Sequence, residues 1–159
     1  MEQILLDFKE QDGIVIMIFV EGTIFKPKCF FNLYNHKNYI PIGNCIRIIQ
    51  NWYKQGANII YCTSRKNKQA IDIAELLKKY GFVGVKLCYR SKNEKYADIV
   101  ETIKPNILIE DDCKSIGGAW QMCITNANSE IKKRIVSIVV PEFKGIDNLP
   151  LSIKELKAI

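Results

Sequence analysis

One uninterrupted apolar segment near the start of the chain limits the fold more than any other feature. Residues 14–20 read Ile-Val-Ile-Met-Ile-Phe-Val, which is rich in β-branched side chains and contains no polar one. A strand covered by helices on both faces shows such a continuous run, whereas a strand with one wet face alternates polar and apolar residues. The segment therefore predicts a central buried strand, and Glu21-Gly22-Thr23 follows it directly.

Further apolar segments alternate with helical patterns along the rest of the chain. Strands are predicted at 58–62, 83–88, 106–109, 121–125 and 135–140. Helical patterns cover 41–56, beginning at Pro41, then 67–80, 93–103, 128–133 and a final apolar-periodic segment at 151–159. Strands that alternate with helices are typical of a parallel sheet with right-handed crossovers. The sequence therefore predicts an α/β fold, a three-layer doubly wound (Rossmann-like) and mainly parallel sheet.

The size of the chain predicts one domain. Its 159 residues, 48% hydrophobic and 25% charged, are enough to bury a substantial core, so we expect a single domain over 1–159. The stretch at 26–40 lacks clear periodicity and is interpreted as a small flap or an irregular loop, and residues 141–159 as a C-terminal extension. Four aromatic residues of the flap could line a ligand site or pack on the core edge: Phe30, Phe31, Tyr34 and Tyr39.

Charge and cysteine content restrict the partners. The formal net charge of +6 is scattered, and its densest basic run is Lys132-Lys133-Arg134, so nucleic acid is not the expected partner. A phosphorylated small molecule or macromolecule suits the same charge. Six cysteines without a CxxC pair, together with a single histidine, argue against structural zinc and favour reduced core thiols.

The start of the chain shows no leader and no membrane-spanning run, so we expect a cytoplasmic protein with no membrane partner. The sequence leaves the oligomeric state open.

Polar triplets follow three of the predicted strands. They are Glu21-Gly22-Thr23, Thr63-Ser64-Arg65 and Glu110-Asp111-Asp112. Ligands of doubly wound folds bind at the carboxyl ends of the strands, where these triplets should meet. Carboxylates suit Mg²⁺, whereas hydroxyl and backbone N–H groups suit phosphate oxygens. Each triplet could equally be a solvated turn or a helix cap, but together they favour phosphoryl-transfer chemistry.

This ordered set resembles the haloacid dehalogenase-like (HAD-like) phosphohydrolases. In that family the first strand ends in Asp-x-Asp-Gly-Thr and the second in Thr or Ser, a Lys precedes the fourth strand, and that strand ends in an acidic pair. The segments that match are Phe19-Val20-Glu21-Gly22-Thr23, Thr63, Lys95 and Glu110-Asp111-Asp112. The resemblance spans roughly residues 14–140 and leaves no room for a large cap domain.

The resemblance implies Mg²⁺-dependent hydrolysis of phosphate esters and a role for each matching residue. The implied catalytic residues are Glu21, Thr63 and Lys95. The implied phosphate-binding residues are Thr63, Ser64, Lys95 and Gly22. The implied metal ligands are Asp111, supported by Asp112 or Glu110.

The chain departs from the family pattern at the nucleophile. Phe19 stands where the attacking aspartate belongs, and a phenyl ring can neither attack phosphorus nor ligate a metal. Glu21 replaces the second aspartate with a longer carboxylate. We therefore expect an impaired phosphohydrolase, or alternatively a non-catalytic protein of the same fold that binds a phosphorylated ligand or has a regulatory role. Asp7 as a substitute nucleophile, and Glu21 as nucleophile or as base for a water, are further alternatives.

Overall fold

The computed structural model describes residues 1–29 and 35–159. The strands are β1 (Glu2–Leu5), β2 (Val15–Phe19), β3 (Phe25–Pro27), β4 (Tyr39–Pro41), β5 (Asn58–Cys62), β6 (Lys86–Tyr89), β7 (Ile107–Asp111) and β8 (Val136–Val140). The α-helices are α1 (Cys45–Lys54), α2 (Lys68–Lys79), α3 (Tyr96–Ile103), α4 (Cys123–Asn126), α5 (Ser129–Arg134) and α6 (Ile153–Leu156). Short 3₁₀ turns cover His36–Asn38, Lys114–Ile116 and Gly118–Trp120.

The main sheet has six strands in the order β1-β6-β5-β2-β7-β8. All neighbouring pairs are parallel except β1 with β6, which is antiparallel. The parallel strands run to one side of β2 through β5 and β6, and to the other through β7 and β8. This order confirms the Rossmann-like α/β prediction, and it makes the carboxyl end of β2 the point where the winding direction reverses.

Two layers of apolar side chains cover the sheet because successive residues of a strand face opposite sides. Ile16 and Ile18 belong to the layer formed with α1 and α2, whereas Met17 belongs to the layer formed with α3, α4 and α5. All three side chains are fully buried. The continuous apolar run of the sequence is explained by this burial on both faces.

Strand β1 and the hairpin of β3 with β4 were not among the predicted strands. Glu2–Leu5 pairs with β6, where Ile4 lies opposite Leu87. Its residues are mostly exposed, so the segment carries little apolar signal of its own. The strand therefore depends on pairing with residues far along the chain, which local pattern does not reveal. β3 and β4 form a separate two-stranded sheet at the bounds of the predicted flap.

The predicted helix start at Pro41 is wrong. Pro41 is the last residue of β4 and lies opposite Phe25, a strand-terminal position that proline tolerates. The helix α1 begins four residues later, after Asn44. The carboxylate of Asp147 accepts hydrogen bonds from the Asn44 backbone N–H at 2.8 Å and its side-chain amide at 3.0 Å. A distant acidic residue thus supports the start of the helix, which local sequence could not show.

The predicted strand at 121–125 is also wrong, because Cys123–Asn126 forms the short helix α4. The carboxylate of Glu110 accepts hydrogen bonds from the backbone N–H groups of Cys123 and Ile124, at 2.6 and 2.9 Å. These N–H groups belong to the first turn, where helical donors lack internal partners. A buried carboxylate from β7 therefore stabilises a helical turn where apolar composition alone suggests a strand.

The C-terminal extension packs against α1. The indole N–H of Trp52 donates to the carbonyl of Pro150 at 2.9 Å, and the Asn51 side chain donates to that of Leu151 at 2.8 Å. Ile146 and Leu156 are fully buried in the same apolar layer. The later part of the extension thus packs on α1, whereas Glu142 and Phe143 contact Asp112 and Gly22 at the strand ends.

Of the four flap aromatics, only Tyr39 can be assessed, because Phe30, Phe31 and Tyr34 lie outside the described residues. Tyr39 is buried in the core layer beneath α2, and its hydroxyl accepts a hydrogen bond from Arg65 at 2.8 Å. Across residues 1–29 and 35–159 no helix combines the length and apolarity needed to cross a membrane.

Candidate functional site

The carboxyl ends of β2, β5 and β7 meet at one edge of the sheet because the three strands are parallel neighbours. Phe19 lies opposite Cys62, and the N–H of the next residue, Val20, donates to the Cys62 carbonyl at 2.9 Å. After Glu21 the chain turns back, with the Gly22 N–H donating to the Phe25 carbonyl at 3.0 Å. Gly22 has a φ of +81°, a conformation that glycine adopts without steric cost.

Glu21 is held by the residues that follow β5. The Thr63 hydroxyl donates to Glu21 Oε1 at 2.5 Å, and the Ser64 backbone N–H donates to Oε2 at 3.0 Å. Arg65 Nε lies 3.9 Å from Oε1, close enough for an ion pair. Both oxygens of the carboxylate therefore accept donors that could otherwise bind phosphate oxygens.

Arg65 connects this cluster to the hairpin of β3 and β4. Its Nη2 donates to the Tyr39 hydroxyl at 2.8 Å, and its guanidinium carbon lies 5.8 Å from the centre of the Tyr39 ring. The Arg65 backbone N–H donates to Thr63 Oγ1 at 3.1 Å, which fixes the hydroxyl toward Glu21. The hairpin and the strand end are thus coupled through one cation.

Asp111 lies buried at the end of β7, directly beside the turn after β2. Its Oδ1 accepts from the Thr23 hydroxyl at 3.3 Å, and its Oδ2 accepts from the Cys113 N–H at 3.0 Å. The backbone of Gly22 passes so close that a Cβ there would lie 2.6 Å from Asp111 Cγ. Burial raises the pKa of Asp111, although the Cys113 N–H favours the charged form, and the carboxylate of Glu142 raises the pKa further.

Asp111, Asp112 and Glu142 form an acidic cluster. Each offers one carboxylate oxygen, and these oxygens lie within 4.8 Å of one another. Asp112 Oδ1 accepts from the Glu142 N–H at 3.1 Å, and the Ser115 hydroxyl donates to Glu142 Oε1 at 2.6 Å. Glu142 was missed from the sequence, although it comes two residues after β8 and so lies at a strand end.

Glu110 lies apart from this cluster. Neighbouring residues of a strand face opposite sides of the sheet, so its carboxylate points away from that of Asp111. Both of its oxygens accept hydrogen bonds from the backbone N–H groups of Cys123 and Ile124 at the start of α4. Burial raises the pKa of Glu110 to about 7, and the N–H groups of Ile124 and Cys123 oppose that rise.

Phe19 is the last residue of β2, and its side chain makes an aromatic contact. Its ring packs edge-on against Tyr96 at the start of α3, with centroids 5.4 Å apart and an interplanar angle of 78°. The guanidinium carbon of Arg90 lies over the Tyr96 ring, 4.2 Å from its centre. Phe19 is thereby part of the apolar layer beneath α3.

Lys95 lies immediately before α3, where its backbone N–H donates to the Asp98 carboxylate at 2.8 Å. Its side chain is exposed and shares the wall of a groove with Ser64 and Arg90. Within the described ranges its ammonium group forms no ion pair, so it remains available to an anion.

Asp7 lies at the opposite edge of the sheet from Glu21 and Asp111. Because β1 is antiparallel to β6, Leu5 lies opposite the first residue of β6, Lys86. Asp7 therefore follows at the amino-terminal edge of the parallel strands, where it forms an exposed ion pair with Lys78 at 2.7 Å. The alternative of Asp7 as substitute nucleophile is excluded by this topology.

Comparisons with known proteins identify the fold only. No protein-family model and no curated protein matches the chain. A chain in the Pnkp1/Rnl/Hen1 complex aligns with 86% of this chain at a TM-score of 0.53 and 13% identity. The D,D-heptose 1,7-bisphosphate phosphatase of B. bronchiseptica, solved with magnesium and phosphate, aligns with 83% at a TM-score of 0.47 and 10% identity.

The chain spans 50% of the first of these structures and 94% of the second. At such low identity the first match supports the Rossmann-like α/β architecture that the strand order already shows.

Proposed function

We propose that this chain is a HAD-like phosphate-ester hydrolase scaffold in which turnover is impaired at Phe19. The observation that carries the proposal is the meeting of the Glu21–Thr63 pair and the Asp111 cluster at the switch point of the sheet. A phosphoryl group placed there would find hydroxyl and N–H donors on one side and carboxylates on the other. The nucleophile position between the two strand ends holds a phenyl ring instead of a carboxylate.

The acidic cluster fits Mg²⁺ by the chemistry of its donors. Asp111, Asp112 and Glu142 supply hard oxygen ligands, and a carboxylate oxygen that already accepts one N–H retains a further lone pair. These three residues would hold the ion. When bound, Mg²⁺ would neutralise charge on the phosphate oxygens. Glu110, implied as a ligand by the family resemblance, has both oxygens directed at α4.

The remaining residues have distinct proposed roles. Thr63 and Ser64 would donate to phosphoryl oxygens, with Lys95 adding positive charge from the groove wall. Glu21 would act as acid or base for a water, since the phenyl ring of Phe19 cannot form a covalent phosphoenzyme. Loss of a covalent nucleophile lowers rates steeply in other enzymes, by about 10⁶-fold in one well-studied case.

The test is hydrolysis of an aryl phosphate, with and without Mg²⁺, by the unmodified protein, Phe19→Asp and Phe19→Asn. We expect low or no activity in the unmodified protein and a Mg²⁺-dependent gain in Phe19→Asp. Phe19→Asn is the matched control, because it introduces a side chain of the same shape that cannot form the phosphoenzyme. Equal rates for the two variants, both folded by circular dichroism, would contradict the proposed role of position 19.

A second candidate is a protein that binds a phosphorylated ligand without turnover. It is favoured by one observation: the Thr63 and Ser64 donors already hold an anionic group, the Glu21 carboxylate. Calorimetry with inorganic phosphate tests it directly. Phosphate binding in the absence of any hydrolysis, in both the unmodified protein and Phe19→Asp, would favour this candidate over the impaired hydrolase.

A further inference from the structure

A groove of about 440 Å³ lies beside the start of α3 and adjoins the Glu21 cluster. Ser64 lines the groove, and its backbone N–H is one of the two donors that hold Glu21. Tyr96, which packs on Phe19, lines it as well. The groove therefore opens at the same strand end where the proposed function requires a phosphate to bind.

Among the described residues that line the groove, Arg90 and Lys95 are cationic and none is acidic, and the nearby carboxylate of Glu21 lies behind Ser64. Arg90 Nε is buried with no hydrogen-bond partner among the residues that the structure describes. A second depression of about 370 Å³ continues past Arg90 and adds Lys66 and Lys92, together with one carboxylate, that of Glu2. An anionic ligand would offset this excess of charge and could accept from the guanidinium of Arg90.

Aromatic side chains occupy two positions in the groove wall. Trp120 is 81% exposed, and Ile116, which lines the same groove, is 65% exposed, so two large apolar side chains of the groove wall are open to solvent. Its backbone is fixed, because the Asn126 side chain donates to the Trp120 carbonyl at 3.0 Å and to that of Met122 at 2.9 Å. Tyr96 is immobilised between Phe19 and Arg90. The exposed indole of Trp120, next to the cations of the groove, suits a planar ring joined to a phosphate.

We propose that this groove binds a mononucleotide, with the phosphate toward Ser64 and Arg90 and the base against Trp120. The inference rests on the proposed function and names the class of its ligand. The volume suits a ligand of this size. A sugar phosphate would satisfy the cations but lacks the planar ring that stacks face to face on an indole.

The test compares ligands by calorimetry on the full chain: AMP, UMP, ribose 5-phosphate, phosphotyrosine and inorganic phosphate. Stacking on an aromatic side chain is worth about 1–3 kcal/mol per base, so AMP should bind roughly 5- to 150-fold more tightly than ribose 5-phosphate. Trp120→Ala should reduce AMP affinity to that of ribose 5-phosphate. Trp120→Phe, which retains a ring, should keep most of the preference.

Tryptophan fluorescence gives an independent readout. Trp52 is fully buried, so acrylamide should quench mainly Trp120. Saturating AMP should shield Trp120 from the quencher, whereas ribose 5-phosphate should not.

Four results would overturn the inference. Equal affinities for AMP and ribose 5-phosphate with unchanged quenching would remove the nucleotide assignment but leave the phosphate-ester scaffold intact. Tighter binding of phosphotyrosine than of AMP would assign the groove to aryl phosphates. Affinity for a single-stranded oligonucleotide that rises with length and falls steeply with salt would assign it to nucleic acid. Failure of every phosphorylated ligand, inorganic phosphate included, would count against the proposed function as well.

Discussion

The Thr63 hydroxyl lies 2.5 Å from Glu21 Oε1, and the neighbouring Ser64 N–H points at the other oxygen of the same carboxylate. Glu21 therefore stands as an internal anion in front of the donors proposed for phosphate. A ligand phosphate that uses these donors must displace the carboxylate or share them with it.

Replacing Glu21 should strengthen phosphate binding. In Glu21→Gln the negative charge next to the incoming phosphate is gone, and we expect inorganic phosphate to bind about tenfold more tightly, equivalent to about 1.4 kcal/mol. Calorimetry at constant ionic strength measures this. Adding Thr63→Val to Glu21→Gln removes one donor at nearly constant shape and should reverse the gain, whereas Thr63→Ser should retain it. Unchanged affinity in Glu21→Gln would mean that phosphate binds elsewhere.

Mg²⁺ should stabilise the fold through the acidic cluster. We expect millimolar MgCl₂ to raise the Tm of the unmodified protein, because a cation relieves repulsion among Asp111, Asp112 and Glu142 and binds the folded state. The shift should disappear in Asp111→Asn and persist in Glu110→Gln, since the Glu110 carboxylate faces α4. If the Mg²⁺-induced rise in Tm were lost in Glu110→Gln but retained in Asp111→Asn, the metal would bind at Glu110 instead.

The sequence predicted the architecture well because β2, β5 and β7 are buried on both faces, which leaves a continuous apolar pattern. Sequence-based predictions were wrong where a local structure depends on a residue far away in the chain. The start of α1 is supported by Asp147, and α4 is held by Glu110. Glu110 shows the same limit. The triplet Glu110-Asp111-Asp112 correctly indicates acidic residues at a strand end. Which of these carboxylates lie together depends on the alternation of side chains between the two faces of the sheet and on the elements packed against each face.

Titration of Glu110 should make stability depend on pH. Its pKa in the folded state is about 7, above the ordinary value of 4.5 that holds in the unfolded chain. The folded state thus binds the proton more tightly, so the free energy of unfolding should fall as pH rises from about 4.5 to 7, by up to about 3 kcal/mol. Urea denaturation with chelator present measures this slope. Glu110→Gln should flatten it, and an equally steep slope in that variant would assign the effect to another group.

Position 22 should not tolerate a side chain. Gly22→Ala places a methyl group 2.6 Å from Asp111 Cγ in a backbone with positive φ, so both strain and displacement of Asp111 follow. Gly56→Ala is the control, because Gly56 also has positive φ but no atom within 4 Å of its would-be Cβ. We expect Gly56→Ala to cost about 1–2 kcal/mol and Gly22→Ala clearly more, with loss of the Mg²⁺-induced Tm shift in Gly22→Ala only. Equal costs in thermal unfolding would mean that Asp111 moves aside freely.

The central strand β2 also determines when the sheet can form. Val15 of β2 pairs with Asn58 and Ile16 with Ile107, residues that follow 43 and 91 positions later in the chain. Closing such long loops before any pairing is gained makes folding slow. During synthesis, the apolar strand β2 therefore has no partner strand until β5 has been made. It then has a partner on one edge only until β7 has been made. That interval is when a chaperone would bind residues 14–20 and when aggregation competes most strongly with folding.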